Sequence, residues 1–230
     1  MENNALKQTL DAHIRRDPRL GEVYVAAKRR YAAAGRFHHN FAHVMRDLYR
    51  ALVIAEDEGD VDYSILIPGV LLHDIGFCSP DCRRLGHDVA GSRLAREILT
   101  ELGFGKETQE AVAHCILAHK GMAALPETRE AMILYDADVL EKAGVVFLLY
   151  AGKILCEFRE SVEHLVEREL RHRGAELERG FYTAKAREMD GGRLETIRNL
   201  FARIKEDITR ERLDFGVREQ DLWTEAPPGM

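Results

Sequence analysis

The run Leu71-Leu72-His73-Asp74-Ile75-Gly76 sets an imidazole beside a carboxylate at the end of an apolar stretch. Both side chains ligate metals, and both move protons. Neighbours on a helix point about 100° apart, so this pair converges on one ion only if the ion lies beyond the helix's last turn. The stretch therefore reads as the exit of a buried helix, with Gly76 expected to supply a positive φ there. A buried histidine hydrogen-bonded to a carboxylate is the structural alternative for the same dipeptide. Further ligand-type residues are strung along separate segments: His43, then His87, His114 and His119, then Asp136 and Asp138. Seven of the ten histidines lie between 38 and 119, so the chemistry concentrates in that half of the chain. Groups so far apart meet only through tertiary structure, as in bundles whose facing helices build a metal site in the core.

The elements that would position them are helical throughout. Residues 5 to 35 carry a stripe of Leu6, Leu10 and Ile14, broken at Asp17-Pro18, with Gly35 as a stop signal. His43 sits near the start of a helix continued by Val44, Leu48, Ala51, Leu52 and Ala55. Ile65 to Ile75 is almost uncharged, as expected for a helix surrounded by others, and Pro68 marks either a kink or the true start. Phe77 to Gly86 reads as a loop, followed by helices at about 87 to 102 and 107 to 119. Glu127 to about His172 reads as one further helical pattern, and the last helix covers about 192 to 212. No repeat, phosphate-binding glycine loop or β alternation interrupts this, so the fold class is all-α. The chain reads as a single domain, 1–230. It divides into a metal-binding core of about 36–145, N-terminal helices 5–35, C-terminal helices 146–212 and a loose tail 213–230, which includes Pro227-Pro228-Gly229.

Composition excludes several classes. The chain of 230 residues is 46% hydrophobic and 31% charged, with no apolar window long enough for a membrane span and no signal sequence at Met1-Glu2-Asn3-Asn4. A cytoplasmic protein is the expectation. The net charge of −6 argues against general nucleic-acid binding. Four cysteines fit reduced, packed thiols, and Cys78-x3-Cys82 lacks the second pair of a zinc site.

Taken in order, His43, His73-Asp74 and Asp138 resemble the H…HD…D signature of the HD-domain superfamily of metal-dependent phosphohydrolases. Local text agrees: His39-Asn40-x-x-His43-Val44 is similar to its HNxxHV motif, Leu71 to Gly76 to its LLHDIG core, and Asp136-Ala137-Asp138-Val139-Leu140 to its DADxL segment. The likeness continues through His87 to Ser92 and Ile116-x-x-His119, covering roughly 36 to 212.

The resemblance implies an HD-domain helical bundle with extra N- and C-terminal helices. It also implies that His43, His73, Asp74 and Asp138 ligate a divalent cation. Two imidazoles and two carboxylates suit Mn, Co, Fe, Ni or Mg better than a thiolate-type zinc site. Asp138 matches the family's ligand, leaving Asp136, about 200° away on a helix, to cap or orient. His87 and His119 correspond to histidines that hold a second ion or contact phosphate; His114, about 140° from His119, would face away. The implied activity is hydrolysis of a small phosphorylated substrate, such as a nucleotide, by metal-activated water, with Asp74 accepting the proton. Arg83, Arg84 and Lys120 follow the ligand-bearing segments and could clamp phosphate oxygens. Two other readings stay open: a diiron oxygenase, and a non-catalytic nucleotide-binding protein. The amphipathic C-terminal helices fit either a homodimer contact or a cover for the domain's own core.

Overall fold

The structure, a computed structural model, describes residues 2–211, with side chains from Asn4 onward. Residues 212–230, and with them the tail read as loose, lie outside the described residues. Among the described residues there are helices and turns but no strand. None of these helices is long and apolar enough to cross a membrane.

Helix α1 (Glu2–Arg16) gives way at Asp17-Pro18 to α2 (Arg19–Ala34), which stops at Gly35 in the left-handed conformation, φ 61°. Helix α3 (Phe41–Glu58) starts where Asn40 accepts hydrogen bonds from the amides of Ala42 and His43, so the cap also fixes the backbone that carries His43. Asp62 caps α4 (Tyr63–Leu72) through the Ser64 amide. Pro68 lies inside α4 rather than at its start, and every residue from Leu66 to Leu72 is buried.

His73 and Asp74 fall just past the end of α4, as expected for a helix exit. The next segment is more helical than its turn-forming residues imply: a 3-10 turn spans Ile75–Cys78 and α5 (Cys82–Leu85) is a single turn. Then come α6 (His87–Glu101), α7 (Lys106–Ala118) and α8 (Arg129–Glu141), the last capped by Thr128.

The helical pattern expected from 127 to 172 is three elements. After α8 the chain turns at Gly144, φ 86°, into α9 (Phe147–Phe158), and turns again at Arg159, φ 52°, into α10 (Val162–Arg179), capped by Ser161. Apolar spacing runs on across both breaks, which is why the sequence pattern hides them. Helices α11 (Ala184–Asp190) and α12 (Arg193–Glu211) finish the described chain.

Two clusters of buried side chains hold these helices. The larger draws on α1 to α4, α6 to α8 and α11; the smaller is built from α9, α10 and α12 against Tyr135 and Val139 of α8. Helix α8 thus contributes Ile133, Leu134 and Leu140 to one core and Tyr135 and Val139 to the other. Each such large side chain, once buried, contributes about 1.5–3 kcal/mol. This pins the helix that carries Asp138 from both sides.

Gly76 does not have the positive φ expected of it; it is absent from the left-handed glycines. Close approach is the reason instead. A Cβ there would lie 1.8 Å from the carbonyl oxygen of His87 and 2.7 Å from the amide nitrogen of Gly91. The turn after Asp74 is therefore pressed against the start of α6, which brings His87 to the site. Gly76→Ala should cost ~3 kcal/mol or more in urea denaturation, because backbone cannot withdraw as a flexible side chain would; a loss below about 1 kcal/mol contradicts this packing.

Candidate metal centre

His43 on the first turn of α3, His73 at the end of α4 and Asp138 on α8 come together in the interior, all nearly inaccessible to water. His43 Nε2 lies 3.3 Å from His73 Nε2, 3.2 Å from Asp74 Oδ2 and 4.0 Å from Asp138 Oδ1. Asp74 faces a second pair with its other oxygen: Oδ1 is 3.8 Å from His87 Nε2 and 3.7 Å from His119 Nε2, and those nitrogens are 3.4 Å apart. One carboxylate thus stands between two pairs of imidazoles.

The ring orientations are set by neighbours. His73 Nδ1 donates to the Val70 carbonyl at 2.8 Å, and His119 Nδ1 to the Ile116 carbonyl at 2.6 Å. A carbonyl only accepts, so Nδ1 carries the hydrogen and Nε2 of the neutral ring presents a lone pair to the site. His43 Nδ1 faces Glu141 Oε1 at 3.5 Å without a hydrogen bond between them. Glu141 is itself held by Arg46 Nε at 2.7 Å and by Arg50. Phe77 stacks on both His39, at 4.2 Å, and His87, at 4.5 Å between ring centroids.

This convergence of lone pairs is what a cation would satisfy, and it perturbs the titration of the groups concerned. Burial opposes a charge on His43, but Asp47, Asp74 and Glu141 outweigh it and hold its pKa well above the ordinary value. Burial likewise opposes ionisation of Asp74 and Asp138. His73 and His43 overcome it for Asp74, and Lys142 with the histidines for Asp138, so both carboxyls stay well below the usual range. His119 is pushed down to about 4 by burial and by His73. Four imidazoles and several carboxylates in two adjoining groups have the donor chemistry of a site for divalent ions.

Sequence reasoning missed some of these neighbours. Asp47, one helical turn after His43, is fully buried, with Oδ2 3.3 Å from His43 Nε2. Lys142, at the end of α8, donates to Asp138 Oδ2. From α9, Glu157 clamps the segment before α3, accepting from the His38 amide at 2.8 Å and pairing with His39 Nδ1 at 2.7 Å. The i,i+4 spacing from His43 was a usable signal for Asp47, whereas nothing local marks Glu157. Asp136 faces away from the centre and accepts from the amides of Tyr182 and Thr183 and the Thr183 hydroxyl, tying down the start of α11. His114 also lies elsewhere, accepting from the Glu127 amide.

A cavity of about 400 Å³ opens over Asp74, His87 and Asp138. Lys120 and Lys142 line it, as do Phe147, Ile154 and Phe158 of α9 and Arg168, His172 and Arg173 of α10. Arg83 is on its wall. Arg84 is not among its lining residues: the single turn of α5 points it to Asp81, 2.9 Å away at the surface. The two cysteines Cys78 and Cys82 are free thiols, and neither metal-ligand group among the described residues includes a cysteine.

Residues 40–143 match the family model of the HD domain. This segment is an HD domain. Among curated proteins, a stretch of 77 residues is 35% identical to the bifunctional uridylyltransferase/uridylyl-removing enzyme of Bradyrhizobium sp. (strain ORS 278); it is 34% of this chain and 8% of that enzyme. Solved structures share the fold at low identity. A predicted HD superfamily hydrolase from an uncultured Thermotogales bacterium is 22% identical with a TM-score of 0.55, over 82% of this chain and 92% of the other. A Lactobacillus plantarum protein is 16% identical with a TM-score of 0.65, over 85% and 99%. Bacillus subtilis YpgQ, solved in complex with ADP, is 22% identical with a TM-score of 0.57, over 82% and 97%.

Glu157 gives a pH-dependent test of how α9 supports the HD domain. Burial raises its pKa, but His39 and the amides of His38 and His39 outweigh this and lower it to about 2. Its contribution to stability is therefore complete above pH ~4.5 and fades as pH falls toward 2. Glu157→Gln should lower unfolding free energy near pH 7, and its deficit against the wild type should shrink as urea titrations move below pH ~4.5. A deficit that does not vary with pH contradicts the ionic role.

Proposed function

We propose that this HD-domain protein is a metal-dependent phosphohydrolase, cleaving a phosphoester or phosphoanhydride of a small phosphorylated metabolite or nucleotide. The observation that carries the reading is Asp74, which meets one imidazole pair with each oxygen at the floor of a cavity lined by lysines and arginines. A divalent ion, when bound, lowers the pKa of water and neutralises phosphoryl oxygens. His43, His73, Asp74 and Asp138 would hold one ion, and His87, His119 and Asp74 a second.

The chain's own groups do the rest. Asp74 receives the proton of the attacking water; as the bond from water to phosphorus forms, the bond from phosphorus to the leaving oxygen breaks and the leaving group departs, with no covalent enzyme intermediate. Lys120 and Arg83 line the same cavity as Asp74 and Asp138 and bind phosphate oxygens. Phe147, Ile154 and Phe158 offer an apolar surface to the rest of the substrate. The uridylyl-removing activity in the name of the curated relatives, and the ADP held by YpgQ, support a phosphate-bearing and nucleotide-type ligand.

The complete second pair, His87 and His119, favours one other reading, a diiron oxygenase. Metal content separates the two. Screening phosphorylated metabolites with Mn2+ or Co2+ should reveal phosphate release that a chelator abolishes; two bound irons with turnover that requires O2 would replace hydrolysis. Asp74→Ala and Asp74→Asn should each reduce that release by roughly 10²–10⁴-fold while far-UV circular dichroism keeps the helical signal. Full activity in a folded Asp74 variant would sink the assignment.

A further inference from the structure

We propose that Asp47 is a direct metal ligand, so that the first ion is held by five side chains: His43, Asp47, His73, Asp74 and Asp138. Residues 43 and 47 are four apart on α3 and share one face. Asp47 Oδ2 lies 3.3 Å from His43 Nε2 and 3.6 Å from His73 Nε2. Asp74 Oδ2 stands in nearly the same relation to those two nitrogens, at 3.2 and 3.5 Å. Donor atoms around an ion with bonds of ~2.1 Å lie ~3 Å or somewhat more from their neighbours. Asp47 therefore has as good a claim on the ion as the aspartate next to His73.

The rest of the carboxylate shows that this oxygen is reserved. Oδ1 accepts from Arg50 Nη1 at 3.0 Å, whereas Oδ2 is buried and has no hydrogen-bond donor. The residue is 0% exposed. With Nδ1 of His73 committed to Val70, four ligand-type atoms face one another: the Nε2 atoms of His43 and His73 and the Oδ2 atoms of Asp47 and Asp74. A proton can serve one contact among them; a cation serves all four. Arg50 bridges Asp47 to Glu141, the carboxylate behind His43, so both partners on α3 are oriented by one guanidinium.

Five donors exceed a tetrahedral set and suit a six-coordinate ion of the Mn2+ or Fe2+ kind, with room for one further ligand. Three carboxylates would also bind such an ion more tightly than two. The inference concerns metal binding and does not rest on the reaction assigned above.

Mn2+ titration of chelator-stripped protein tests it, with free Mn2+ read by electron paramagnetic resonance and the metal-induced rise in Tm read in parallel. Asp47→Asn should weaken the first site at least fivefold and shrink the rise in Tm, while a second site built on His87 and His119 keeps its affinity. A change smaller than fivefold, or no Mn2+ binding by the wild type, overturns the proposal. If Asp47→Asn does not fold, anomalous diffraction from Mn2+-soaked wild-type crystals decides: Asp47 Oδ2 belongs at ~2.2 Å from the ion, and any separation outside the bonding range overturns it.

Discussion

Packing four imidazoles and three aspartates within a few ångströms of one another, away from water, is unfavourable until positive charge is placed among them. Much of the structure around the centre acts on that constraint. Protein cations offset part of it: Lys142 holds Asp138, and Arg46 and Arg50 hold the Asp47 and Glu141 carboxylates. None of these lies between His43, His73 and Asp74, where ring nitrogens and carboxylate oxygens meet. His43 is held toward its protonated form by its neighbours for the same reason. A divalent ion would take over that task and release the proton, so binding there should be coupled to pH.

The fold supplies rigidity at the points where the donors need it. Asn40 caps α3 one turn before His43, Gly76 lets the turn after Asp74 touch the backbone of α6, and α8 is gripped by both cores. Backbone carbonyls at Val70 and Ile116 serve as tautomer locks for His73 and His119. Each histidine donates to the carbonyl of the residue three positions earlier. The same local device thus recurs at the ends of α4 and α7, and both rings present Nε2 to the centre.

What was legible in the sequence was local, and what was hidden was tertiary. The His73-Asp74 exit, the start of α3 and the helical class follow from short-range patterns, because caps and apolar runs act over a few residues. The Asp17-Pro18 break and the Gly35 stop were readable for the same reason. Gly76 was singled out correctly for the wrong cause, since a close approach to His87 and Gly91 depends on a partner eleven or more positions away. The breaks at Gly144 and Arg159 were hidden under continuous apolar spacing. Glu157 could not be read at all: its role exists only because α9 returns to the segment before α3.

That return divides the cavity between two parts of the chain. The donors and Lys120 come from the region that matches the HD family model, whereas α9 and α10, which lie beyond residue 143, supply most of the opposite wall. That wall is apolar where α9 supplies Phe147, Ile154 and Phe158 and charged where α10 supplies Arg173, buried against Glu169 and Glu176 with its guanidinium 5.2 Å from the Phe147 ring. A group placed at the centre meets donors set by the shared domain, while whatever extends from it meets side chains set by this chain's own C-terminal helices. On the proposed reading, chemistry and selectivity would be carried by separable elements, joined through α8. A change on α10 would then alter which molecules fit without touching the donors contributed by residues 40–143.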